Sequence, residues 1–292
     1  MKAMWSFRSL CGAVLAGCLL AGILSLCGCT VLEDRDPCPC YLEVDFSQVD
    51  KSIREWQMWL FSPEGTLLFK DTVYRRSYSS PYIVEVPRNS KVQCLLWGNA
   101  RGGTNLNESY SRYTTLLHKG GVAADSLYFS TDTISTMGEE SSLKVFPRKE
   151  FATVDICLQG WIGVDFDASM ELLCGAQGFY VDRRYLRGEV SSSMKLYDMG
   201  DYYTQFRGRI LRQPDPENII LSLLIRKREI DGSIGEVLIE KDIPIGKYLE
   251  ENGYDMHTPD MSDIVMDVDY SYTNLVIKAE DWEATYSLNE EI

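Results

Sequence analysis

Asp267 and Asp269 stand two residues apart in the segment Asp263-Ile264-Val265-Met266-Asp267-Val268-Asp269-Tyr270. On a strand they share one face, the placement a glycosidase's carboxylate pair would use. Ile264, Met266, Val268 and Tyr270 form an unbroken apolar face opposite, so the aspartates are expected to point into water. Other groups suited to chemistry are as sparse. The two histidines, His118 and His257, sit in no His-Glu-x-x-His context, and the chain has no Gly-x-Ser-x-Gly elbow and no phosphate-binding loop. Asp165, Asp167 and Glu171 lie close together but lack the glycine and terminal glutamate of an EF-hand loop. The expectation is a protein that is not an enzyme, with no catalytic residue, no metal site and no cofactor.

One covalent chemistry does have the right spacing. Lys2 and Arg8 form a basic start, residues 9–28 carry no charge, and the apolar run ends in small residues beside cysteine. This is the layout of an export signal. Two sites resemble the bacterial lipobox, in which a leucine and two small residues precede the cysteine that is acylated and becomes residue one. Leu15-Ala16-Gly17-Cys18 fits the letters better, but cutting there leaves residues 9–14 as the apolar core, short of the roughly 7–15 needed. Leu26-Cys27-Gly28-Cys29 follows a full core and precedes the polar run Thr30-Val31-Leu32-Glu33-Asp34-Arg35-Asp36. Cys29 is therefore the expected lipidation site, with residues 1–28 as signal peptide and 29–37 as tether. Cys11, Cys18 and Cys27 read as small apolar residues of the signal.

Five cysteines follow Cys29: Cys38, Cys40, Cys94, Cys157 and Cys174. The number is odd, so at least one thiol is free or pairs with another molecule. Cys38-Pro39-Cys40 is too short to bridge itself comfortably, because proline fixes φ and the two side chains diverge. The chain of 292 residues has a formal charge of −14. Removing the signal removes two basic residues and no acidic one, which takes the charge to −16. Such acidity argues against nucleic acid as a partner and against docking on anionic lipid by charge. A membrane partner would be held by acyl chains, two or three of which anchor firmly.

The elements that would position these groups are strands. Tyr41 to Phe46 alternates, with Leu42, Val44 and Phe46 opposite Glu43 and Asp45. Trp56 to Phe61 and Thr66 to Phe69 flank Ser62-Pro63-Glu64-Gly65, a strong turn signal. Tyr82 to Val86 and Lys91 to Trp97 follow at hairpin distance around Pro87-Arg88-Asn89. Tyr110, Tyr113, Leu116 and Leu117 fall at helical spacing, with Asn107 to cap a helix and Gly120-Gly121 to stop it. Residues 132–149 read as a seam between domains.

In the second half, Ala152 to Leu158 alternates and Asn218 to Ile225 reads as a buried strand. Asp231-Gly232 turns the chain before Glu236 to Glu240, Ile245 to Glu251 suits a short helix ended by Gly253, and Asp263–Tyr270 with Asn274–Ala279 makes a closing hairpin. The fold class is mainly β, with one or two short helices. The length suits two domains of roughly 130 residues, drawn at 38–147 and 148–292. Tyr180, Tyr185, Tyr197, Tyr202 and Tyr203 lie among Arg183, Arg184, Arg187 and Arg207, residue types that anchor contact surfaces. Aromatics of this kind, together with the lipobox, leave a surface glycan-binding lipoprotein as the second reading.

Several pieces in order resemble the FimB/Mfa2 family of fimbrial anchor proteins of Bacteroidales. They are the lipobox at Cys29, the acidic tether leading to Cys38-Pro39-Cys40-Tyr41-Leu42-Glu43-Val44, the strand-turn-strand Trp56 to Phe69, and Tyr82 to Ala100 ending in Trp97-Gly98-Asn99. The likeness covers most of residues 27–160 and then the general layout of the second half, as far as Trp282. It implies two tandem transthyretin-like β-sandwich domains and a lipoprotein of the outer membrane at the base of, or within, a type V pilus. Such an anchor fixes the fibre to the cell and limits its length, and close relatives of the same fold are stalk or tip subunits. The resemblance further implies partners that assemble by β-strand addition. Stalk subunits lose an N-terminal strand to an Arg/Lys-directed protease, whereas an anchor keeps its lipid and that strand. Here the strand would be Leu42-Val44-Phe46, followed by Lys51 and Arg54.

Overall fold

The computed structural model describes residues 38–107, 111–159, 166–199, 203–251, 253–270, 274–279 and 282–287. The chain divides into two units, Met1–Cys38 and Pro39–Ile292. Apart from Cys38, the described residues belong to the second, in which the described strands form four sheets packed as two sandwiches.

The first sandwich pairs a three-stranded with a five-stranded sheet. The small sheet holds β1 (Cys40–Asp45) between β4 (Tyr82–Val86) and β9 (Glu140–Lys144). The larger has the order β10-β8-β5-β2-β3, with β2 Glu55–Phe61, β3 Leu67–Tyr74, β5 Lys91–Gly98, β8 Tyr128–Ser135 and β10 Arg148–Lys149. Alternation explains both: each strand turns one apolar set inward, and Leu42, Val44, Val84, Val86, Trp56, Met58, Val92, Cys94 and Leu96 share one core.

The expected hairpin of Tyr82–Val86 with Lys91–Trp97 does not form. β4 pairs with β1, and β5 pairs with β2 and β8. Residues 87–90 arch from one sheet to the other, and four extended residues cover roughly 13 Å, enough for the ~10 Å between packed sheets. Asn89 takes a left-handed φ of 56°, and Thr136 clamps the arch by donating from Oγ1 to the Pro87 carbonyl at 2.7 Å.

The second sandwich packs two six-stranded sheets. One has the order β14-β15-β11-β18-β19-β20: Lys195–Met199, Tyr203–Leu211, Phe151–Gln159, Ile264–Tyr270, Asn274–Ala279 and Trp282–Ser287. The other runs β17-β16-β12-β7-β6, with β13 (Tyr185–Ser193) also on β12. Its members are β17 Ile234–Ile243, β16 Ile220–Arg228, β12 Phe166–Tyr180, β7 Thr115–His118 and β6 Thr104–Asn107. The closing hairpin of β18 with β19, the turn at Gly232 (φ 82°) and helix α1 (Ile245–Glu251) stand as expected. Gly253 ends α1 with φ 79° and donates its N–H to the Glu250 carbonyl at 3.0 Å.

Where a helix is expected from Tyr110 to Leu117, β7 is a strand paired with β6, and Tyr110 lies outside the described residues. Apolar residues three and four apart suit a helix, but Leu116 and His118 are buried while Thr115 and Leu117 are only partly so, the period of a strand. Pairing decides it. β7 lies antiparallel to the end of β12, Gly178 opposite Leu117, and this hairpin from the first half of the chain completes a sheet of the second sandwich. Strands β8, β9 and β10 occupy the span expected to be a loose seam. The two sandwiches are joined through Trp59, Trp97, Leu116, Phe129, Phe179 and Leu211, and the Trp97 indole N–H donates to the Val181 carbonyl at 2.8 Å.

Candidate functional site: the first strand and its slot

β1 occupies the middle of its sheet, so both of its backbone edges are paired. On one side Cys40 to Val44 run antiparallel to Val86 to Tyr82; on the other Tyr41 to Asp45 run parallel to Glu140 to Lys144. The ladder continues past both ends: Tyr41 N–H donates to the Glu139 carbonyl at 2.8 Å and Val145 N–H to the Asp45 carbonyl at 3.0 Å. Cys40, Leu42 and Val44 are fully buried and Phe46 is 1% exposed. Phe46 stacks on Tyr78, ring centroids 5.2 Å apart at 14°, and packs against Trp56. At roughly 1.5–3 kcal/mol per fully buried large apolar side chain, Leu42, Val44 and Phe46 together hold the strand by several kcal/mol. Withdrawing β1 would leave β4 and β9 with unpaired edges facing an apolar slot.

The connection from β1 to β2 is itself fastened. Asp45 accepts from the Ser47 N–H at 2.8 Å and Oγ at 3.0 Å, and this Ser47 bonding, aided by Lys144, holds its carboxyl below the usual carboxylate range. Val49 and Ile53 turn inward. Lys51 and Arg54 are exposed, yet the backbone around them is engaged: Arg54 N–H donates to Asn99 Oδ1 at 2.8 Å, Asn99 Nδ2 donates to the Ser52 carbonyl at 3.3 Å, and the Arg54 carbonyl accepts from Arg75 N–H at 2.8 Å. A protease needs an extended stretch of backbone, so cutting here requires local opening first. Cys29 and the tether up to Pro37 lie outside the described residues.

The other candidate groups do not assemble into a reaction centre among the described residues. Asp267 and Asp269 are exposed while Ile264, Met266 and Val268 are buried, as the alternation predicts. Asp167 pairs with Arg228 at 3.0 Å on a strand, not a loop, and Asp165 lies outside the described residues. His118 is 8% exposed and its Nε2 meets the Val122 carbonyl at 2.8 Å. Burial holds its imidazole below the usual range, against the opposing pull of that bond and of Asp125. His257 is exposed, in the turn before β18. The five described cysteines are free thiols; Cys38 is exposed, and burial pushes the Cys94 and Cys174 thiols up, the latter to about 12. No group of three or more His, Cys, Asp or Glu among the described residues is placed to hold a metal ion, and no described helix is long and apolar enough to cross a membrane.

A cluster the sequence did not reveal lies where the two sandwiches meet. Glu150 is fully buried, and its carboxylate receives Arg183 at 2.5 Å, Arg212 at 2.9 Å and Arg148 at 3.2 Å. Arg212, also fully buried, donates to the carbonyls of Lys149 and Met256 as well. The four residues span positions 148 to 212, and no local pattern marks them as partners.

No family model and no curated protein matches the chain. Solved structures do. The fold matches the fimbrial anchor protein Mfa2 from Porphyromonas gingivalis with a TM-score of 0.62 at 12% identity, covering 84% of this chain and 99% of that one. A candidate polysaccharide-binding protein from Bacteroides thetaiotaomicron matches with a TM-score of 0.61 at 15% identity, over 86% and 100% of the two chains. A candidate adhesin from Bacteroides ovatus matches with a TM-score of 0.60 at 11% identity, over 87% and 97%. The fold read from the sequence through its likeness to the FimB/Mfa2 family is thus the fold of Mfa2.

Proposed function

We propose that this protein is a structural subunit of a type V fimbria that works at the cell surface without catalysis, and that it is the anchor, held to the outer membrane by acyl chains on Cys29. The observation that carries this reading is β1: a central, doubly paired strand with a fully buried apolar face, beginning eleven residues after Cys29. The eight residues Thr30 to Pro37, at up to ~3.3–3.6 Å each, give a reach of at most about 26–29 Å. A strand so placed keeps the lipid joined to the folded body. The fold shared with Mfa2 supports the same role.

Other fimbrial subunits are the partners in this reading, joined by strand addition to an open sheet edge or slot. Cys29→Ala should shift the protein from the membrane fraction to a soluble or unprocessed form, and Cys18→Ala should leave fractionation unchanged. Release by Cys18→Ala would move the lipid to the other lipobox. Deleting the gene should release fibres into the medium; fibres that stay on the cells would remove the anchor role.

A further inference from the structure

The outer face of the β14-β15-β11 sheet carries a cleft of about 500 Å³, inside the roughly 300–1,000 Å³ range of small-ligand sites. Lys195, Tyr197, Arg207 and Arg209 line it, with Thr153 on its floor. The chain as a whole has a charge of −14, yet this cleft gathers three cations around Asp155; Asp263, which accepts from the Thr153 N–H at 2.9 Å, is itself paired with Lys149 at 2.6 Å. Asp155 holds Arg207 in a two-pronged ion pair, the second contact at 3.1 Å. That pair presses the guanidinium over the Tyr197 ring at 3.9 Å from its centroid. The ring is thereby fixed in place while remaining 60% exposed, and Leu196 beside it is 53% exposed. Arg209 spends its Nε on the Ala124 carbonyl at 2.8 Å, which ties the 119–124 turn to the rim of the cleft, and its terminal nitrogens make no hydrogen bond among the described residues. Lys195 is exposed and makes no ion pair among the described residues.

We propose that this cleft binds a carboxylated sugar, a uronic-acid unit of an acidic glycan. The carboxylate would lie against Lys195 and Arg209, where opposite charge is concentrated in an otherwise acidic surface. The C–H face of the pyranose would rest on the exposed side of the Tyr197 ring. An acidic polypeptide is the other anion with this charge. It would add along the free backbone edge of β14, outside the cleft, whereas Tyr197, Thr153 and the turn at 119–124 enclose a short, compact ligand on the face of the sheet. This site is separate from the β1 slot and does not depend on the anchoring role.

The test uses the full-length protein in detergent and three probes: trigalacturonate, its fully methyl-esterified form, and a glutamate oligopeptide. Saturable binding of trigalacturonate is expected, weakening at least about tenfold on esterification and by a similar factor in Lys195→Gln/Arg209→Gln. Tyr197→Ala should weaken it independently of salt, while the charge contribution should fall as salt rises. Lys195 and Tyr197 are exposed, so Lys195→Gln and Tyr197→Ala should leave the thermal transition unchanged. Arg209 is half-buried and bonded to the Ala124 carbonyl, so any loss of binding in its variant counts only if Lys195→Gln alone also weakens trigalacturonate. Equal binding of acid and ester, preference for the glutamate peptide, unchanged affinity in the variants, or no saturable binding of trigalacturonate would each overturn the proposal.

Discussion

Glu150 neutralises Arg212 in a place where neither side chain meets water. Removing one partner of such a pair leaves an uncompensated buried charge and typically costs about 3–5 kcal/mol. Glu150→Gln keeps the shape and hydrogen-bonding capacity but not the charge, and is expected to destabilise by that order in urea unfolding at unchanged m-value. His118 carries a different signature. Its folded-state pKa lies below the unfolded value, so between the two the unfolded chain binds the extra proton. Stability is therefore full above about pH 6.5 and falls as pH drops below it, until the folded form also protonates. Comparing unfolding at pH 7.5 and 5.5 should show this loss, and His118→Gln should reduce the slope. Neither residue was legible as important in the sequence. The Glu150 partners lie up to 62 positions away, and a single histidine among leucines looks the same whether buried or exposed.

At the scale of elements, period-two alternation located β1 and β18, because each has one face in a core and one in water, while β2 stood out as an apolar run because both of its faces are buried. Alternation was silent on which strand pairs with which. Arch and hairpin use the same four-residue gap at Pro87-Arg88-Asn89-Ser90, and only the position of β1 between β4 and β9 separates them. The β6–β7 hairpin was misread for a related reason: its neighbour is the end of β12, more than sixty residues later. Gly178 makes that pairing fit, since a Cβ there would come 2.0 Å from the Leu116 carbonyl oxygen. Gly178→Ala is accordingly expected to detach the hairpin, seen as loss of amide protection at Leu116 to His118 in hydrogen exchange while the amides of β1 and β5 stay protected. Unchanged protection at β7 would show that the sheet accommodates the methyl group.

Over the whole molecule, the two sandwiches share the Trp97 cluster and the Glu150 ion pairs, so they are expected to unfold together. Calorimetry should show one transition, and Trp97→Ala, at a cost of about 3–5 kcal/mol, should lower it or split it in two. The same cohesion bears on how a fibre would be held: load applied to the distal sandwich passes through the joint to the first sandwich, then through β1 to the tether. All of this requires that β1 and Cys29 remain on one covalent chain in the mature protein. Mass spectrometry of the protein recovered from cells tests that most directly. The account predicts an acylated N-terminal peptide beginning at Cys29, with the Tyr41–Phe46 segment still joined to the domain. A mature surface form beginning at Ser52 or Glu55, lacking both lipid and first strand, would contradict it and leave a polymerising stalk or tip subunit.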